Sequence, residues 1–345
     1  MKNNDKIILN AMIGAGIGGL EEMGIKYSEF LPKVGYKVIS LFNVRSVLYD
    51  KMKNIPYTCF ILPFSNYDIF TAFSIAKIVK KYSVTHVIMH GRKAQKMLLL
   101  ARFFMKKKPK FIFIEHCEIS EPESKKTDII AVLNTGARQK MLKYGIPSER
   151  IVNIDNFVDL SDLKFTQREK KDVPTIGWMQ RFHPIKGLEM FLKAVVILQK
   201  KGYNFNVSIA GGSIKDIDFP MPDAINLEKI EFLSWINDVQ HFMDNIDIFC
   251  ISSLDEPFGL ATLKALACGV PVVATPTSGS IEILSRSENP GIVSSEMSEE
   301  SLAIAIENML NKSQEEFARS SMQAYHASRF YTIDNWAKTI HNILL

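Results

Sequence analysis

Short apolar runs alternate with amphipathic stretches along most of the chain, and this alternation predicts parallel strands separated by helices. Residues 7–12, 36–41, 86–89, 111–114, 129–133 and 151–154 are apolar blocks bounded by polar or glycine residues. Strands buried on both faces of a parallel sheet read this way. Residues 69–81 and 95–105 lie between them with apolar positions at helical spacing. The pattern breaks at 160–174, where Lys164, Arg168, Glu169, Lys170, Lys171 and Asp172 make a polar linker. It then restarts, with strands expected at 175–178, 206–210, 229–232, 246–251 and 270–274 and helices at 187–201 and 261–267. From 301 to 345 the chain reads as helical, with a break near Tyr331 and Thr332. There is no tandem repeat and no low-complexity segment.

The fold class this predicts is α/β, with two Rossmann-like domains facing each other across a deep cleft. Ligands of such sheets bind beyond the carboxyl ends of the strands, so each domain offers one wall of a site. That arrangement suits an enzyme with two substrates. The length of 345 residues agrees with two domains at roughly 150 residues each.

Composition adds limits. The net charge of +5 and pI of 8.8 suit an anionic ligand or an acidic membrane surface. Nucleic-acid readers concentrate charge much more strongly, so no nucleic-acid partner is expected. Cys59, Cys117, Cys250 and Cys268 lie far apart without a C-x-x-C pair, which argues against a disulfide framework or structural zinc and for a reducing compartment. The apolar run 7–20 contains Asn10 and four glycines and ends in Glu21 and Glu22, so it reads as a strand and glycine loop rather than a signal peptide. No stretch approaches the roughly 18 apolar residues that span a bilayer. A cytoplasmic protein, or one peripheral on the inner membrane face, is expected.

The richest segment chemically is 252–284, SSLDEPFGLATLKALACGVPVVATPTSGSIEIL. Glu256 lies in a loop after a strand, Pro257, Phe258, Gly259 and Leu260 open a helix, and Gly269 closes it. A helix N-terminus offers free N–H groups to an anion or to sugar hydroxyls, and a loop carboxylate beside it accepts from vicinal hydroxyls. A second stretch, 177–187 or GWMQRFHPIKG, places Arg181 five positions before Lys186, just ahead of a glycine at a helix start.

Together these stretches resemble the nucleotide-sugar signature of retaining glycosyltransferases of family 4, which have the GT-B fold and belong to the glycosyl transferases of group 1. The resemblance runs through the second half and is scattered in the first. It implies that Glu256 contacts the transferred sugar, with Phe258, Gly259 and Leu260 in the sugar-contacting loop. Arg181 and Lys186 would bind the donor diphosphate in place of a metal ion, so no cofactor is expected beyond the nucleotide-sugar co-substrate. The family's second glutamate, which binds ribose, is Lys264 here, and the glycine before the arginine is Gln180.

Further matches are looser. Gly211 and Gly212 resemble the family's glycine turn, Phe232 and Leu233 the segment whose backbone reads the base, and Glu282 a later carboxylate. His116, in FIEHCE, aligns with the family's histidine beside the sugar, and His90 ends the preceding strand as a weaker candidate. Asn156, Phe157, Val158 and Asp159 resemble the family's N-G-V-D, where the chain leaves the first domain. The loop 14–19, GAGIGG, satisfies G-x-G-x-x-G, but the second strand runs into Phe42, Asn43, Val44 and Arg45. No acid is there for an NAD ribose, so an oxidoreductase is disfavoured. Under the resemblance, Gly18 and Gly19 let backbone amides approach the donor phosphate.

The run 92–110 carries Arg92, Lys93, Lys96, Arg102, Lys106, Lys107, Lys108 and Lys110 and no acid. It reads either as a basic amphipathic contact with a membrane surface or as a sheet-packing helix with a basic outer face. The domains expected are 1–163 with 330–345, on the acceptor side with a returning helix from Asn335, and 164–329 for the donor. The function expected is metal-independent, retaining transfer of a hexosyl group to a glycan or lipid-linked acceptor of bacterial surface-polysaccharide or lipopolysaccharide synthesis. The alternative is a non-catalytic nucleotide-sugar or polyanion-binding protein of the same fold.

Overall fold

The computed structural model describes residues 6–16, 18–62, 68–116, 122–161, 163–286 and 290–345. The chain divides into two compact units, Met1–Asn156 with Ile333–Leu345, and Phe157–Thr332.

Among its described residues unit 1 holds seven strands: β1 (Ile7–Met12), β2 (Lys37–Asn43), β3 (Thr58–Ile61), β4 (His86–His90), β5 (Lys110–Glu115), β6 (Ile129–Val132) and β7 (Ile151–Asn153). They form one sheet in the order β3-β2-β1-β4-β5-β6-β7, and all pairs are parallel. The connecting helices are α1 (Gly19–Lys33), α2 (Tyr49–Met52), α3 (Ile69–Lys81), α4 (Gly91–Arg102) and α5 (Thr135–Lys143). Side chains start two of them: Asp68 Oδ1 accepts from the N–H groups of Phe70 and Thr71 at α3, and Asn134 Oδ1 from that of Ala137 at α5. Leu9, Leu41, Val87, Met97, Leu98, Phe111 and Phe113 build the core between sheet and helices. Each such side chain contributes roughly 1.5–3 kcal/mol on full burial.

Unit 2 repeats the plan with β8 (Thr175–Met179), β9 (Asn206–Ala210), β10 (Ile230–Leu233), β11 (Ile248–Ile251), β12 (Val272–Ala274) and β13 (Gly291–Val293). Its parallel order is β10-β9-β8-β11-β12-β13. Around it lie α6 (Leu188–Lys200), α7 (Val239–Asp244), α8 (Leu260–Ala267), α9 (Ser278–Ser285), α10 (Glu299–Leu310) and α11 (Gln314–Ser328). Trp178, Phe191, Val195, Ile209, Ile248 and Ile306 fill its core. The last helix, α12 (Ile333–Leu344), belongs to unit 1. It is held there by Tyr36 Oη against His341 Nδ1 at 2.8 Å, by Lys6 Nζ donating to Leu344 O at 2.6 Å, and by Trp336 edge-on to Tyr27.

Two features depart from expectation. Strands β3 and β13 carry no strong sequence pattern and lie at sheet edges. Much of the polar stretch after Asp159 also packs on unit 2 rather than running free, with Asp162 outside the described residues. Arg168 is buried, its N–H donating to Ser321 Oγ at 2.8 Å and its guanidinium to Asp244 O at 3.2 Å. Cys59, Cys250 and Cys268 are free thiols, and Cys117 lies outside the described residues.

Candidate active site

In unit 2 the strand order reverses between β8 and β11, so the loops after these two strands leave the sheet side by side. Side chains and backbone then bind the loops to each other. Trp178 Nε1–H donates to Ser252 Oγ at 2.8 Å, and Ser252 Oγ–H donates to Lys186 O at 3.1 Å. Ser253 Oγ–H donates to Gln180 Oε1 at 2.8 Å, and the Leu254 N–H to Ile185 O at 2.8 Å. A β-carbon on Gly187 would stand 1.9 Å from Ser252 O, and φ there is +67°. Only glycine permits this approach. Gly211, at φ +120°, meets the same limit against Gln180 O.

The clasped loops bring two residues of the signature together. Lys186 Nζ donates to Glu256 Oε2 at 2.6 Å, with side chains 18% and 16% exposed. The Glu256 carbonyl accepts from the Gly279 N–H at 2.8 Å, which ties its loop to the start of α9. Arg181 stands exposed on the neighbouring loop and makes no ion pair among the described residues. Helices α6 and α8 both begin at this cluster, on Gly187 and Gly259, with no side-chain cap. The unit's other helices are capped by Asp238, Thr277, Ser298 and Ser313. Among the described residues the cluster therefore offers one free cation, one paired cation, a carboxylate and two sets of first-turn N–H groups, a set suited to phosphate and hydroxyl ligands.

The remaining donor-side residues are placed as follows. Phe258 is buried with its ring edge-on to Tyr331, so its side chain is core and only its backbone faces the loop cluster's chemistry. Gly259 has φ +111° and Leu260 is the first residue of α8. Lys264 lies half-buried on α8 and is engaged by a neighbour. Gly211 follows β9, its N–H directed at Ser234 O at 3.4 Å just after Phe232 and Leu233 of β10. Glu282 pairs with Arg286 on α9 at 2.8 Å. Sequence reasoning missed Ser252 and Ser253; two serines directly after an apolar strand were the available signal.

In unit 1 the order reverses between β1 and β4. Gly18 and Gly19 open α1 without a side-chain cap, and Glu21 and Glu22 follow in its first turn. Glu21 Oε1 lies 2.8 Å from where a β-carbon of Gly14 would stand, and Asn43 Nδ2 donates to Ile13 O at 3.1 Å. An amide at the end of β2 thus anchors the loop where a dinucleotide site would place an acid. His116 follows β5 and bonds His90 at the end of β4: His116 Nε2 and His90 Nδ1 are 2.9 Å apart. His90 Nε2 stands 2.8 Å from Asn10 Oδ1 on β1. Burial and the adjacent His116 hold His90 well below the usual histidine range, and burial brings His116 down to about 4. Among the described residues no three His, Cys, Asp or Glu side chains gather as a metal site.

Of the two readings of the basic run 92–110, α4 takes the sheet-packing one. Met97, Leu98 and Leu99 of α4 are buried in the unit 1 core, so α4 packs on the sheet and presents no lipid-facing stripe. Phe103 and Phe104, beyond its end, are the exposed apolar residues of the run. Among the described residues no helix is long and apolar enough to cross a membrane.

Two Rossmann-like units with parallel sheets and these loops at the strand ends match the GT-B fold of solved glycosyltransferases. HepE of Anabaena, solved in complex with UDP and glucose, matches with a TM-score of 0.79 over 98% of this chain and 99% of its own, at 17% identity. Residues 161–326, just under half of the chain, match the family model of glycosyl transferases group 1, and with the named relatives this marks the chain as a glycosyltransferase. An uncharacterized glycosyltransferase of Haemophilus influenzae is 24% identical over 332 residues, 90% of this chain and 91% of that one. The capsular polysaccharide biosynthesis glycosyltransferase CapM of Staphylococcus aureus is also 24% identical, over 246 residues that span 70% of this chain and 63% of CapM.

Proposed function

We propose that the chain is a retaining hexosyltransferase that takes a sugar from a nucleoside-diphosphate donor without a metal ion. The acceptor in this reading is a glycan or lipid-linked precursor of a bacterial surface polysaccharide or lipopolysaccharide. The observation that carries it is the Lys186–Glu256 pair at the reversal point of unit 2, beside Arg181, which makes no ion pair among the described residues. As the bond between the sugar's anomeric carbon and phosphate lengthens, negative charge grows on the departing diphosphate. Arg181, Lys186 and the first-turn amides of α6 and α8 meet that charge, each preorganised donor lowering the barrier by roughly 3–4 kcal/mol.

In the same reading Glu256 accepts from hydroxyls of the transferred sugar once Lys186 turns to phosphate. The backbone at Phe258, Gly259 and Leu260 frames the sugar, and Gly211, Phe232 and Leu233 frame the base. Lys264 replaces a ribose contact with a cation. His116 attends the reacting sugar, and the amides at Gly18 and Gly19 approach phosphate. The UDP and glucose of HepE make UDP-glucose the first donor to try, and the capsule role of CapM supports a surface-glycan acceptor.

The test is turnover of UDP-sugars in EDTA, with the product's anomeric configuration read by NMR. Release of UDP that persists in EDTA and a product with the donor's configuration are expected. An inverted product would overturn retention, and activity lost in EDTA but restored by a divalent cation would overturn metal independence. Absence of donor binding by folded protein would overturn the whole reading.

A membrane partner is supported by unit 1. Phe70 is 86% and Phe103 84% exposed, and Phe73 meets Phe104 edge-on with ring centres 6.0 Å apart. Lys77, Lys80 and Lys81 lie on α3, which carries no acid, and Lys106, Lys107 and Lys108 follow Phe104. A cavity of about 320 Å³ opens between Lys96, Leu100, Arg102, Phe103, Lys108 and Lys126. Exposed phenyl rings among cations suit an anionic lipid surface, each cation adding roughly 1 kcal/mol near the headgroups.

A further inference from the structure

We propose that the buried chain Asn10–His90–His116 fixes His116 as a one-way hydrogen-bond acceptor, so that the sugar group it meets must be one that donates, as a hydroxyl does. Asn10 and His90 are then positioning residues for His116. The proposal rests on the transferase reading only for the identity of the ligand; the proton arrangement follows from the hydrogen-bond geometry and the burial of the two rings.

The direction of each bond is forced from one end. Asn10 has one amide atom 2.8 Å from Gly24 O and 2.8 Å from Ser28 Oγ. A backbone carbonyl only accepts, so that atom is the NH₂ and the other is Oδ1. Oδ1 lies 2.8 Å from His90 Nε2, which must therefore carry a proton. His90 is 1% exposed and packed edge-on against Tyr27 at 4.7 Å, with no acid bonded to it, and burial keeps it uncharged. Its Nδ1 is then a bare lone pair, and the 2.9 Å bond to His116 requires the proton on His116 Nε2. His116 is buried as well, and its one remaining ring atom, Nδ1, is an acceptor. The neighbouring acid, Glu115, is engaged by another partner.

A neutral imidazole locked this way accepts from a hydroxyl and repels lone pairs. Phosphate oxygens and N-acetyl carbonyls offer only lone pairs, so neither can occupy Nδ1. His116 would thereby read a sugar hydroxyl and not attract the departing diphosphate, leaving that charge to Arg181 and Lys186. Losing a bond of this kind from a deoxy-sugar should lower kcat/KM roughly ten- to a hundredfold.

The first test uses ¹⁵N-histidine-labelled full-length protein without ligand. Long-range ¹H–¹⁵N spectra at pH 7 should show both His90 and His116 neutral and protonated on Nε2. A proton on His116 Nδ1, or an imidazolium, would overturn the proposal whatever the activity. The second test compares intact and deoxy UDP-sugars with the wild type, His116→Phe and His90→Phe. One deoxy position should reduce wild-type kcat/KM and leave His116→Phe unaffected, while His90→Phe should lose most of the discrimination. Equal deoxy penalties in wild type and His116→Phe, at every position, would overturn the ligand role even with the NMR result in place. Absence of turnover with any sugar would strike the transferase reading instead, and the spectra would still decide the tautomer.

Discussion

Lys186 Nζ reaches Glu256 Oε2 at 2.6 Å across 70 positions of sequence, and the two side chains are more than four-fifths buried. A pair so placed is either a strut between loops or a site waiting for ligand, and substitution separates the two. Removing one partner leaves the other charge poorly solvated and should cost about 1–3 kcal/mol of unit 2 stability under either reading. Only the site reading adds a loss of kcat, about 10²–10³-fold for Lys186→Met and for Glu256→Gln. Steady-state kinetics on folded variants checks it. A kcat/KM within threefold of wild type for either variant would leave the pair a strut.

Glycines at and against these loops carry a steric prediction. Gly187→Ala and Gly211→Ala each drive a methyl to 1.9 Å from a backbone oxygen at positive φ, and a backbone atom cannot step aside. Each should cost more than about 3 kcal/mol in urea unfolding and lower donor binding with it. Gly145 is the control: its φ is +75° but nothing lies within 4 Å of an added β-carbon. Gly145→Ala should cost only about 1–2 kcal/mol, the left-handed backbone penalty alone.

Sequence patterning was legible where a strand is buried on both faces. Residues 7–12 and 206–210 coincide with β1 and β9, because central parallel strands are unbroken apolar blocks. It failed at β3 and β13, edge strands of four and three residues whose side chains are mostly half-exposed. Helix α4 begins earlier than its amphipathic pattern suggested, since Gly91 follows His90 with no capping side chain to mark the start. At the site, the residue types at 181, 186 and 256 were readable from spacing and resemblance. The Lys186–Glu256 bond was not, because pairing across the β8–β11 reversal depends on strand order. Phe258 shows the converse: its place in the signature suggested a ligand contact, yet the ring is buried against Tyr331.

Lys264 stands where the family's ribose-binding glutamate is expected, and Lys264→Glu tests what the exchange does. A carboxylate accepts from both ribose hydroxyls, and a charge-assisted bond contributes roughly 1.5–3 kcal/mol. Donor affinity measured by calorimetry should rise about tenfold in the variant. Unchanged or weaker binding would mean that the lysine already serves the donor, through phosphate or base.

The buried histidines of unit 1 set a pH dependence. His90 and His116 titrate below the ordinary value near 6.5, His116 at about 4, because burial disfavours their charged forms. The unfolded chain therefore binds more protons than the native one between about pH 6.5 and 4, and stability rises with pH across that window. It is fully present above about 6.5 and falls with acidification, each histidine adding up to about 1.4 kcal/mol per pH unit. Urea unfolding followed at Trp336, with the other tryptophans replaced by phenylalanine, should show this slope, and His116→Asn should flatten it. A slope unchanged by His116→Asn would place the acid sensitivity elsewhere.

The phenyl cluster on unit 1 makes the last prediction. If Phe70 and Phe103 enter a bilayer interface while the lysines around them meet anionic headgroups, binding must need both kinds of group. Vesicles of phosphatidylcholine with phosphatidylglycerol should sediment the protein, and vesicles of phosphatidylcholine alone should not. Raising salt from 0.05 to about 0.5 M shortens the screening length severalfold and should release most of it. Phe70→Ser with Phe103→Ser removes apolar area without touching charge, so it should weaken binding at low salt while leaving activity on a soluble acceptor intact. Lys107→Glu with Lys108→Glu should abolish the preference for anionic vesicles. Failure of the protein to bind anionic vesicles at low salt would mean that this face, despite its rings and charges, serves no lipid surface.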